Sequence, residues 1–255
     1  MNSLFDVSGK VVLVTGGTSG IGEMIARGFV DAGAIVYIAS RKADVGEKLA
    51  QELSAIGPCT FLQANLSTEA ECQRLAHELS ERESHLDVLV NNAGATWGAP
   101  MDAYDEAAFE RVLSLNVKGV FHLTKFLRPL LSASATSEQP SRVINIGSID
   151  GLRAPSMETF AYSSSKAAVH QLTRHLAKFF APTITVNAIA PGPFESRMMH
   201  ATIEAAGEQM VRAVPMHRLG QPSDMAGAAI FLASPAATYI TGAVLPVDGG
   251  IAALG

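Results

Sequence analysis

The sequence has little cysteine, and its histidines do not form a metal-binding pattern. Only Cys59 and Cys72 occur among 255 residues, and neither belongs to a Cys-x-x-Cys pair or lies near a His cluster with zinc spacing. None of the seven histidines belongs to a His-Glu-x-x-His sequence. We therefore expect reduced thiols, a cytoplasmic protein and no metal site.

Concentrated positive charge and long hydrophobic runs are also missing. The formal net charge is −5, and basic and acidic residues are mixed along the whole length. A nucleic-acid partner would require a concentrated basic face, so we expect none. No apolar run approaches the roughly 18 residues that span a bilayer. Asp6 and Lys10 flank the first short hydrophobic residues, so we also expect no membrane or targeting segment.

Short apolar runs rich in β-branched residues recur along the chain and predict seven strands separated mostly by helices. The runs are continuous rather than alternating, as in Val88–Val90, which suits strands covered on both faces. The sequence therefore predicts one α/β domain over residues 1–255, with a Rossmann-type doubly wound, mainly parallel sheet and helices on both faces. The predicted strands are Val11–Thr15, Ile35–Ala39, Thr60–Ala64, Asp87–Asn91, Arg142–Gly147, Ile184–Ile189 and Ala243–Val247, and the predicted helices are 20–32, 44–55, 69–82, 105–131, 161–180 and 223–233.

The segment 194–215 has a less regular pattern than the predicted helices. It lies between the last two predicted strands and is rich in alanine and methionine, with Met198, Met199, Met210 and Met216 in or beside it. Such a segment is a candidate lid over a substrate cleft. The alternative is a surface helical insertion that only packs.

A glycine-rich turn follows the first predicted strand and precedes the first predicted helix. Residues 15–22 read Thr-Gly-Gly-Thr-Ser-Gly-Ile-Gly. Glycines let the backbone turn tightly and approach a pyrophosphate, whose charge the free N–H groups of a helix start favour. The second strand ends in Ser40-Arg41-Lys42, at the place where an acidic residue holds the ribose in NAD enzymes. Arg41 can instead hydrogen-bond a 2′-phosphate, so we expect NADP(H), unless both basic residues merely solvate a turn.

Tyr162 and Lys166 lie four residues apart in a predicted helix, so their side chains share one face. That face is otherwise apolar, and an ammonium is seldom buried without a partner or a purpose. A ketone that accepts a hydride gains negative charge on its oxygen and needs a proton donor, which a phenol can be. Because a nearby ammonium stabilises a phenolate, we expect Lys166 to lower the pKa of Tyr162.

The Gly-x-x-x-Gly-x-Gly turn and the Tyr-x-x-x-Lys pair together resemble the short-chain dehydrogenases/reductases. The resemblance implies that Ser148 hydrogen-bonds the substrate oxygen and that Asn116 holds a water that links the lysine to solvent. From the residues alone, Ser148 fits a strand-end turn serine and Asn116 a satisfied core amide equally well. The resemblance thus implies a catalytic tetrad of Asn116, Ser148, Tyr162 and Lys166.

The resemblance also implies cofactor contacts along nearly the whole chain. Asn92-Ala93-Gly94 is similar to the family's segment beneath the adenosine, and Pro191-Gly192 to its nicotinamide loop. Asn65 stands where the family's aspartate meets the adenine amine, and Ser196 where a threonine contacts the carboxamide. The predicted cofactor set is Gly16, Thr18, Ser19, Gly20, Ile21, Gly22, Ser40, Arg41, Lys42, Asn65, Leu66, Asn92, Ala93, Gly94, Tyr162, Lys166, Pro191, Gly192, Phe194 and Ser196.

Within the family, residues 91–99, 142–148 and 190–198 are similar to the NADPH-dependent β-ketoacyl reductases associated with rhamnolipid synthesis. This resemblance implies reduction of a 3-oxoacyl thioester to a 3-hydroxyacyl product, with another small carbonyl or secondary alcohol as the alternative. Lys125 and Arg128 offer basic charge to an acidic carrier protein, but the net charge of −5 opposes such a partner at long range. A CoA thioester therefore remains an alternative to a carrier-protein thioester as the substrate.

Two other classes of function fit less well. Residues 147–151 superficially resemble a serine-hydrolase nucleophile, but the serine is second rather than central between the glycines. A non-catalytic NADP-binding regulator would be expected to lack the tyrosine or the lysine.

The resemblance further implies a homotetramer in which helices 105–131 and 161–180 pair between subunits, with residues 247–250 in a second interface.

Overall fold

The computed structural model describes residues 3–195 and 200–254, and one seven-stranded sheet runs through this part of the chain. Every pair of neighbouring strands is parallel, whereas the sequence predicts a mainly parallel sheet. The strands are β1 (Val11–Thr15), β2 (Ile35–Ser40), β3 (Cys59–Gln63), β4 (Val88–Asn91), β5 (Ser141–Ile146), β6 (Ile184–Pro191) and β7 (Val244–Val247).

The order of the strands determines where a ligand can bind. It is β3-β2-β1-β4-β5-β6-β7, so the chain winds in one direction as far as β3 and in the other from β4 onward. The carboxyl ends of β1 and β4 therefore meet where the winding reverses. In doubly wound sheets this is the position of the ligand crevice.

Two hydrophobic cores cover the two faces of the sheet and explain why the strands are apolar throughout. Val12 and Val14 of β1 belong to one core, together with Phe29 from the first helix. Leu13, between them in sequence, belongs to the other core, together with Leu123 from a helix on the opposite face. Because adjacent residues of a strand point to opposite faces, a strand buried on both faces needs hydrophobic residues at every position.

The helices begin and end close to their predicted bounds. Asp105 accepts a hydrogen bond from Ala108 N at 2.7 Å, Thr68 accepts one from Glu71 N at 3.3 Å, and Pro222 is a favourable first residue of a helix. None of the described helices has the length and hydropathy needed to cross a bilayer. The helices are α1 (Gly20–Asp31), α2 (Ala43–Ser54), α3 (Glu69–Ser80), α4 (Glu106–Leu113), α5 (Val120–Ser132), α6 (Phe160–Phe180), α7 (His200–Ala213), α8 (Pro222–Ala233) and α9 (Ile251–Leu254).

Two regions differ from the sequence prediction. The helix predicted over 105–131 is divided into α4 and α5 by six residues of π-helix, Ser114–Gly119, which we call the π segment. The candidate lid, predicted as less regular, contains the regular helix α7. Met198 and Met199 of that segment lie outside the described residues.

Candidate active site

A cavity of about 880 Å³ opens at the carboxyl edge of the sheet, where the winding reverses. Most of the predicted site residues line it. These are Gly16, Thr18, Ser19, Gly20, Ile21, Ser40, Arg41, Lys42, Asn65, Leu66, Asn92, Ala93, Gly94, Ser148, Tyr162, Lys166, Pro191, Gly192 and Phe194.

Three predicted residues are not among those lining residues. Ser196 lies outside the described part of the chain. Gly22 and Asn116 are not among the described lining residues, and the cofactor contact of Gly22 stays a prediction. A Cβ at Gly22 would lie 2.2 Å from the Gly16 carbonyl oxygen, so Gly22 allows α1 to pack closely against the turn.

The glycine-rich turn between β1 and α1 adopts a conformation that requires glycine. Gly16 and Gly20 have φ angles of +62° and +54°, which few residues with a side chain adopt. Ser19 is the N-cap of α1, and within the described structure its side chain makes no capping hydrogen bond. The first N–H groups of α1 and the Ser19 hydroxyl therefore face the cavity as donors for an anion.

Thr15 and Asn92 join the glycine-rich turn to the end of β4. Thr15 Oγ1 accepts hydrogen bonds from the backbone N–H groups of Asn92 and Ala93 at 2.9 and 3.0 Å. Asn92 Nδ2 donates to the carbonyls of Thr15 and Gly16 at 2.8 and 3.2 Å. Thr15 is absent from the predicted site, because its role depends on a partner 77 residues away in the sequence.

Basic side chains surround the end of the cavity next to β2. Arg41 and Lys42 are exposed there and, among the residues that the structure describes, form no ion pair. Gln63 Nε2 donates a hydrogen bond to the Arg41 carbonyl oxygen at 3.0 Å. A smaller cavity of about 420 Å³ is lined by Arg41 and Gln63. Asn65 Oδ1, expected to meet an adenine amine, accepts a hydrogen bond from Ser67 Oγ at 2.9 Å.

Tyr162 and Lys166 occupy the centre of the cavity, one turn apart on α6. Lys166 Nζ donates to the Ile146 carbonyl at the end of β5 at 2.8 Å and lies 5.5 Å from the centre of the Tyr162 ring. The lysine is buried, as the apolar face of the helix predicts. Burial lowers the pKa of Lys166 to about 8, because removal from water penalises the ammonium.

The pKa of Tyr162 differs from the prediction. Burial raises it to about 12, a hydrogen bond with Ser148 opposes that rise, and the charge of Asp150 adds to it. The net shift is therefore opposite to the lowering that we expected from Lys166, because desolvation of the phenolate is the largest effect. The phenol is therefore protonated near neutral pH.

Asn116 lies in the π segment and connects it to two neighbouring elements. Its Oδ1 accepts from Ala95 N at 2.8 Å, and its Nδ2 donates to the Ala95 carbonyl and to Ser165 Oγ, both at 2.9 Å. Both donors of the amide are thus bonded to protein, as in the core-amide alternative. Asn116 and Lys166 remain near each other, since a Cβ at Gly94 would lie 3.3 Å from Asn116 Oδ1 and 3.7 Å from Lys166 Nζ.

The end of the cavity beyond Ser148 joins Met210 of the candidate lid to residues that the sequence analysis did not single out, among them Asp150. Ser148 Oγ accepts from Asp150 N at 3.1 Å, and Asp150 is the only acidic residue among the described lining residues. Burial raises the pKa of the Asp150 carboxyl, and the charge of Arg153 opposes that rise. The remaining wall here combines polar residues, such as Arg153 and Gln209, with apolar ones. It includes Met157, Met210, Ala213 and Ile251.

Several residues of the predicted lid and carrier-protein surface do not face the cavity. Met216 is 63% exposed and does not line the described cavity, whereas Met210 does. Lys125 and Arg128 are also not among the described lining residues, and Lys125 donates to Glu69 at 3.0 Å. The structure therefore does not place these two basic residues at the rim of the cavity.

Comparison with known proteins identifies close relatives over the whole chain. A family model described as Enoyl-(Acyl carrier protein) reductase matches residues 16–252. The chain is 48% identical to the rhamnolipids biosynthesis 3-oxoacyl-(acyl-carrier-protein) reductase of Pseudomonas aeruginosa, over 98% of this chain and 99% of that protein. It is 37% identical to the L-tagatose-forming galactitol 2-dehydrogenase of Cereibacter sphaeroides, over 97% of each.

A solved structure shares the fold closely. The Pseudomonas aeruginosa RhlG/NADP active-site complex superposes with a TM-score of 0.95 and 47% sequence identity, over 99% of this chain and 100% of that one. The fold of this chain is therefore one that has been solved with NADP.

Proposed function

Because the chain belongs to the short-chain dehydrogenase/reductase family of oxidoreductases, we propose that it uses NADPH to reduce a ketone at Ser148, Tyr162 and Lys166. The observation that carries this proposal is the position of a protonated phenol beside the Ser148 hydroxyl, above a buried lysine, in the main cavity. NADPH, when bound, supplies the hydride.

The residues of the chain supply the proton and stabilise the charge on the reacting oxygen. The Ser148 hydroxyl and the Tyr162 phenol both donate to the ketone oxygen, and Tyr162 transfers its proton as negative charge develops there. Lys166 stabilises the resulting phenolate and, with a pKa of about 8, can return a proton to it. Asn116 completes the proposed tetrad by holding the α6 side of the site in place and by positioning a relay water.

The end of the cavity next to β2 fits NADP(H). Ser40 Oγ is buried there and has no hydrogen-bond partner among the described residues, so it is available to a ligand. Arg41 and Lys42 supply positive charge for a 2′-phosphate, and the glycine-rich turn with Ser19 supplies N–H and O–H donors for the pyrophosphate. The proposed nicotinamide contacts are Pro191, Gly192, Phe194 and Ser196.

The proposed substrate is a 3-oxoacyl thioester, which becomes a 3-hydroxyacyl product. The relative from Pseudomonas aeruginosa supports this choice, and so does the apolar wall of Met157, Met210 and Ile251 beyond Ser148. A small polyol or other secondary alcohol is the second candidate. The galactitol dehydrogenase relative and the Asp150 carboxyl, which can accept hydrogen bonds from hydroxyl groups, favour it.

A substrate series tests this proposal directly. NADPH absorbance is followed with 3-oxoacyl-CoA thioesters of increasing chain length, and NADP⁺ reduction is followed with galactitol. We expect turnover of the thioesters and a loss of roughly 10²–10⁴-fold in Tyr162→Phe with NADPH binding retained. Tyr239→Phe, a fully exposed tyrosine, is the matched control. Turnover of galactitol but not of the thioesters would instead support the second candidate.

The finer features of assembly and location are also proposals. We propose that residues 1–255 form one domain, since one continuous sheet joins both halves, and that the protein is cytoplasmic, where its two free thiols would stay reduced. We propose a homotetramer with α4, α5 and α6 at one interface and residues 247–250 at another. Phe121 on α5 and Phe179 on α6, which are 43% and 76% exposed, support the first interface.

A further inference from the structure

A buried histidine lies behind the loop that carries Ser148. His170 follows Lys166 by one turn of α6, and only 2% of its surface is exposed. Neither ring nitrogen makes a hydrogen bond of ordinary geometry with the residues that the structure describes, although the Gly151 backbone lies close enough to raise the pKa of the ring. An unpaired buried polar group costs roughly 1–3 kcal/mol. A buried imidazole at this position therefore indicates a role that an apolar side chain of similar size could not fill.

The imidazole fills the space left by two glycines on either side of Ser148. A Cβ at Gly147 would lie 2.1 Å from His170 Nε2, and a Cβ at Gly151 would lie 2.9 Å from His170 Cε1. Both distances are shorter than a van der Waals contact, so the ring and the two glycine backbones touch. The loop 147–151 thus packs on the His170 ring and, at Gly151, on the backbone of Lys166 and Ala167 as well.

The backbone hydrogen bonds of the loop tie it to the rest of the protein at one end only. Gly147 N donates to the Ile189 carbonyl at 2.7 Å, which fixes only the first residue. Gly151 N and Asp150 N donate to the carbonyl and the Oγ of Ser148, at 3.0 and 3.1 Å, so these bonds lie within the loop itself. The ring is the side-chain contact between the loop and α6, the helix that carries Tyr162 and Lys166. It adds to the close packing of Gly151 on the backbone of Lys166 and Ala167.

The charge state of His170 suits this position. Burial lowers its pKa, repulsion from Lys166 and Arg174 lowers it further, and an interaction with the Gly151 backbone opposes both. The imidazole is therefore neutral near pH 7, with one donor and one acceptor nitrogen. A neutral polar ring can interact with the loop backbone and adds no second positive charge beside Lys166.

We propose that His170 is a positioning residue that supports Gly147 and Gly151 from behind and thereby sets where the Ser148 hydroxyl meets the substrate oxygen. The inference rests on the proposed function, because it assigns His170 a part in the same ketone chemistry. A displacement of about 1 Å in a reacting group can cost roughly 10²-fold in rate. The loop therefore needs a rigid support.

The first arm of the test separates rate from binding. In His170→Ala we expect kcat for the ketone to fall roughly 10-fold or more, with the Kd of NADPH and the substrate KM nearly unchanged. His170→Gln keeps a polar atom near the place of Nε2 and should retain most of the rate.

In Gly147→Ala the new methyl group should displace the ring and lower kcat. The double variant Gly147→Ala/His170→Ala should recover part of that loss, because the methyl group enters the space that the ring has left. Additive losses in the double variant would contradict the proposal.

The second arm does not depend on the substrate. Amide hydrogen exchange of residues 147–151 is compared in the wild type, His170→Ala and His170→Gln, each with NADPH bound. We expect faster exchange of this loop in the alanine variant alone. Unchanged exchange in His170→Ala would overturn the inference, even if the wild type reduces no ketone and the proposed function has already failed. Faster exchange in that case would support the positioning role by itself.

Discussion

The titration of Lys166 links its burial to the stability of the protein. Its pKa is about 8 in the folded chain, against 10.5 in water, so the unfolded chain binds more protons between these values. Its contribution to the free energy of unfolding should therefore rise as the pH increases from 8 to 10. We expect Lys166→Met to remove this rise, measured by denaturant unfolding at both pH values. Lys178→Met changes an exposed lysine of the same helix and should keep the wild-type dependence of the free energy of unfolding on pH. An equal pH dependence in the two variants would contradict the burial argument.

Arg41 is the residue on which the choice of cofactor should depend most. Charge-assisted hydrogen bonds contribute about 1.5–3 kcal/mol, which corresponds to roughly 10–100-fold in affinity. We expect Arg41→Ala to raise the Kd of NADPH by that factor, because the 2′-phosphate loses its partner, and to leave the Kd of NADH almost unchanged. Arg128→Ala removes a charge outside the cavity and should change neither value in the same titration. An equal weakening of both cofactors in Arg41→Ala would assign Arg41 a structural role instead.

The residues that the sequence predicted and those it missed differ in how local their signals are. Tyr162 and Lys166 share a helix, and Gly16 to Gly22 share a turn, so spacing alone brings them together. Thr15 and His170 act through neighbours that only the folded chain supplies, such as the backbone of Asn92 or of Gly147. The pKa of Tyr162 was mispredicted for the same reason, since burial is a property of the whole site.

At the scale of elements, propensity and hydrophobic periodicity predicted neither the π segment nor the regular helix α7. One additional residue per turn shifts the pattern only slightly, so α4 and α5 resemble one continuous helix in sequence. The strands and the helices α1, α2, α3, α6 and α8 were predicted closely, because burial on both faces of the sheet leaves a strong pattern. The π segment nevertheless orients Asn116 towards Ala95 and Ser165.

The bonds of Asn116 should make the π segment important for both stability and activity. Asn116→Leu leaves the backbone groups of Ala95 and the hydroxyl of Ser165 without this partner, so we expect a loss of about 1–3 kcal/mol in the free energy of unfolding. We expect kcat to fall as well, because Ser165 precedes Lys166 directly. Lys118→Ala, in the same segment but exposed, should lower stability by less than about 1 kcal/mol. Similar losses in the two variants, measured by denaturant unfolding, would contradict this role.

At the scale of the whole molecule, the proposed assembly depends on the exposed face of α5 and α6. Phe121→Glu places a charge on that face and should shift the protein from tetramers to smaller species in sedimentation velocity, because burying an unpaired carboxylate is costly. Ile56→Glu alters a residue that is 59% exposed and lies outside these helices, and it should leave the sedimentation coefficient unchanged. A wild-type protein that sediments as a monomer would exclude the proposed tetramer.

The transfer of the hydride to a ketone carbon is the central claim, and an isotope measurement tests it most directly. The protein is incubated with a 3-oxoacyl-CoA and NADPH that carries deuterium at both C4 positions, and the product is analysed by mass spectrometry. The proposed chemistry predicts one deuterium atom on C3 of a 3-hydroxyacyl product, formed by the wild type and not by Tyr162→Phe. A 3-hydroxyacyl product without deuterium, or label transferred only when an enoyl thioester replaces the 3-oxoacyl thioester, would contradict it.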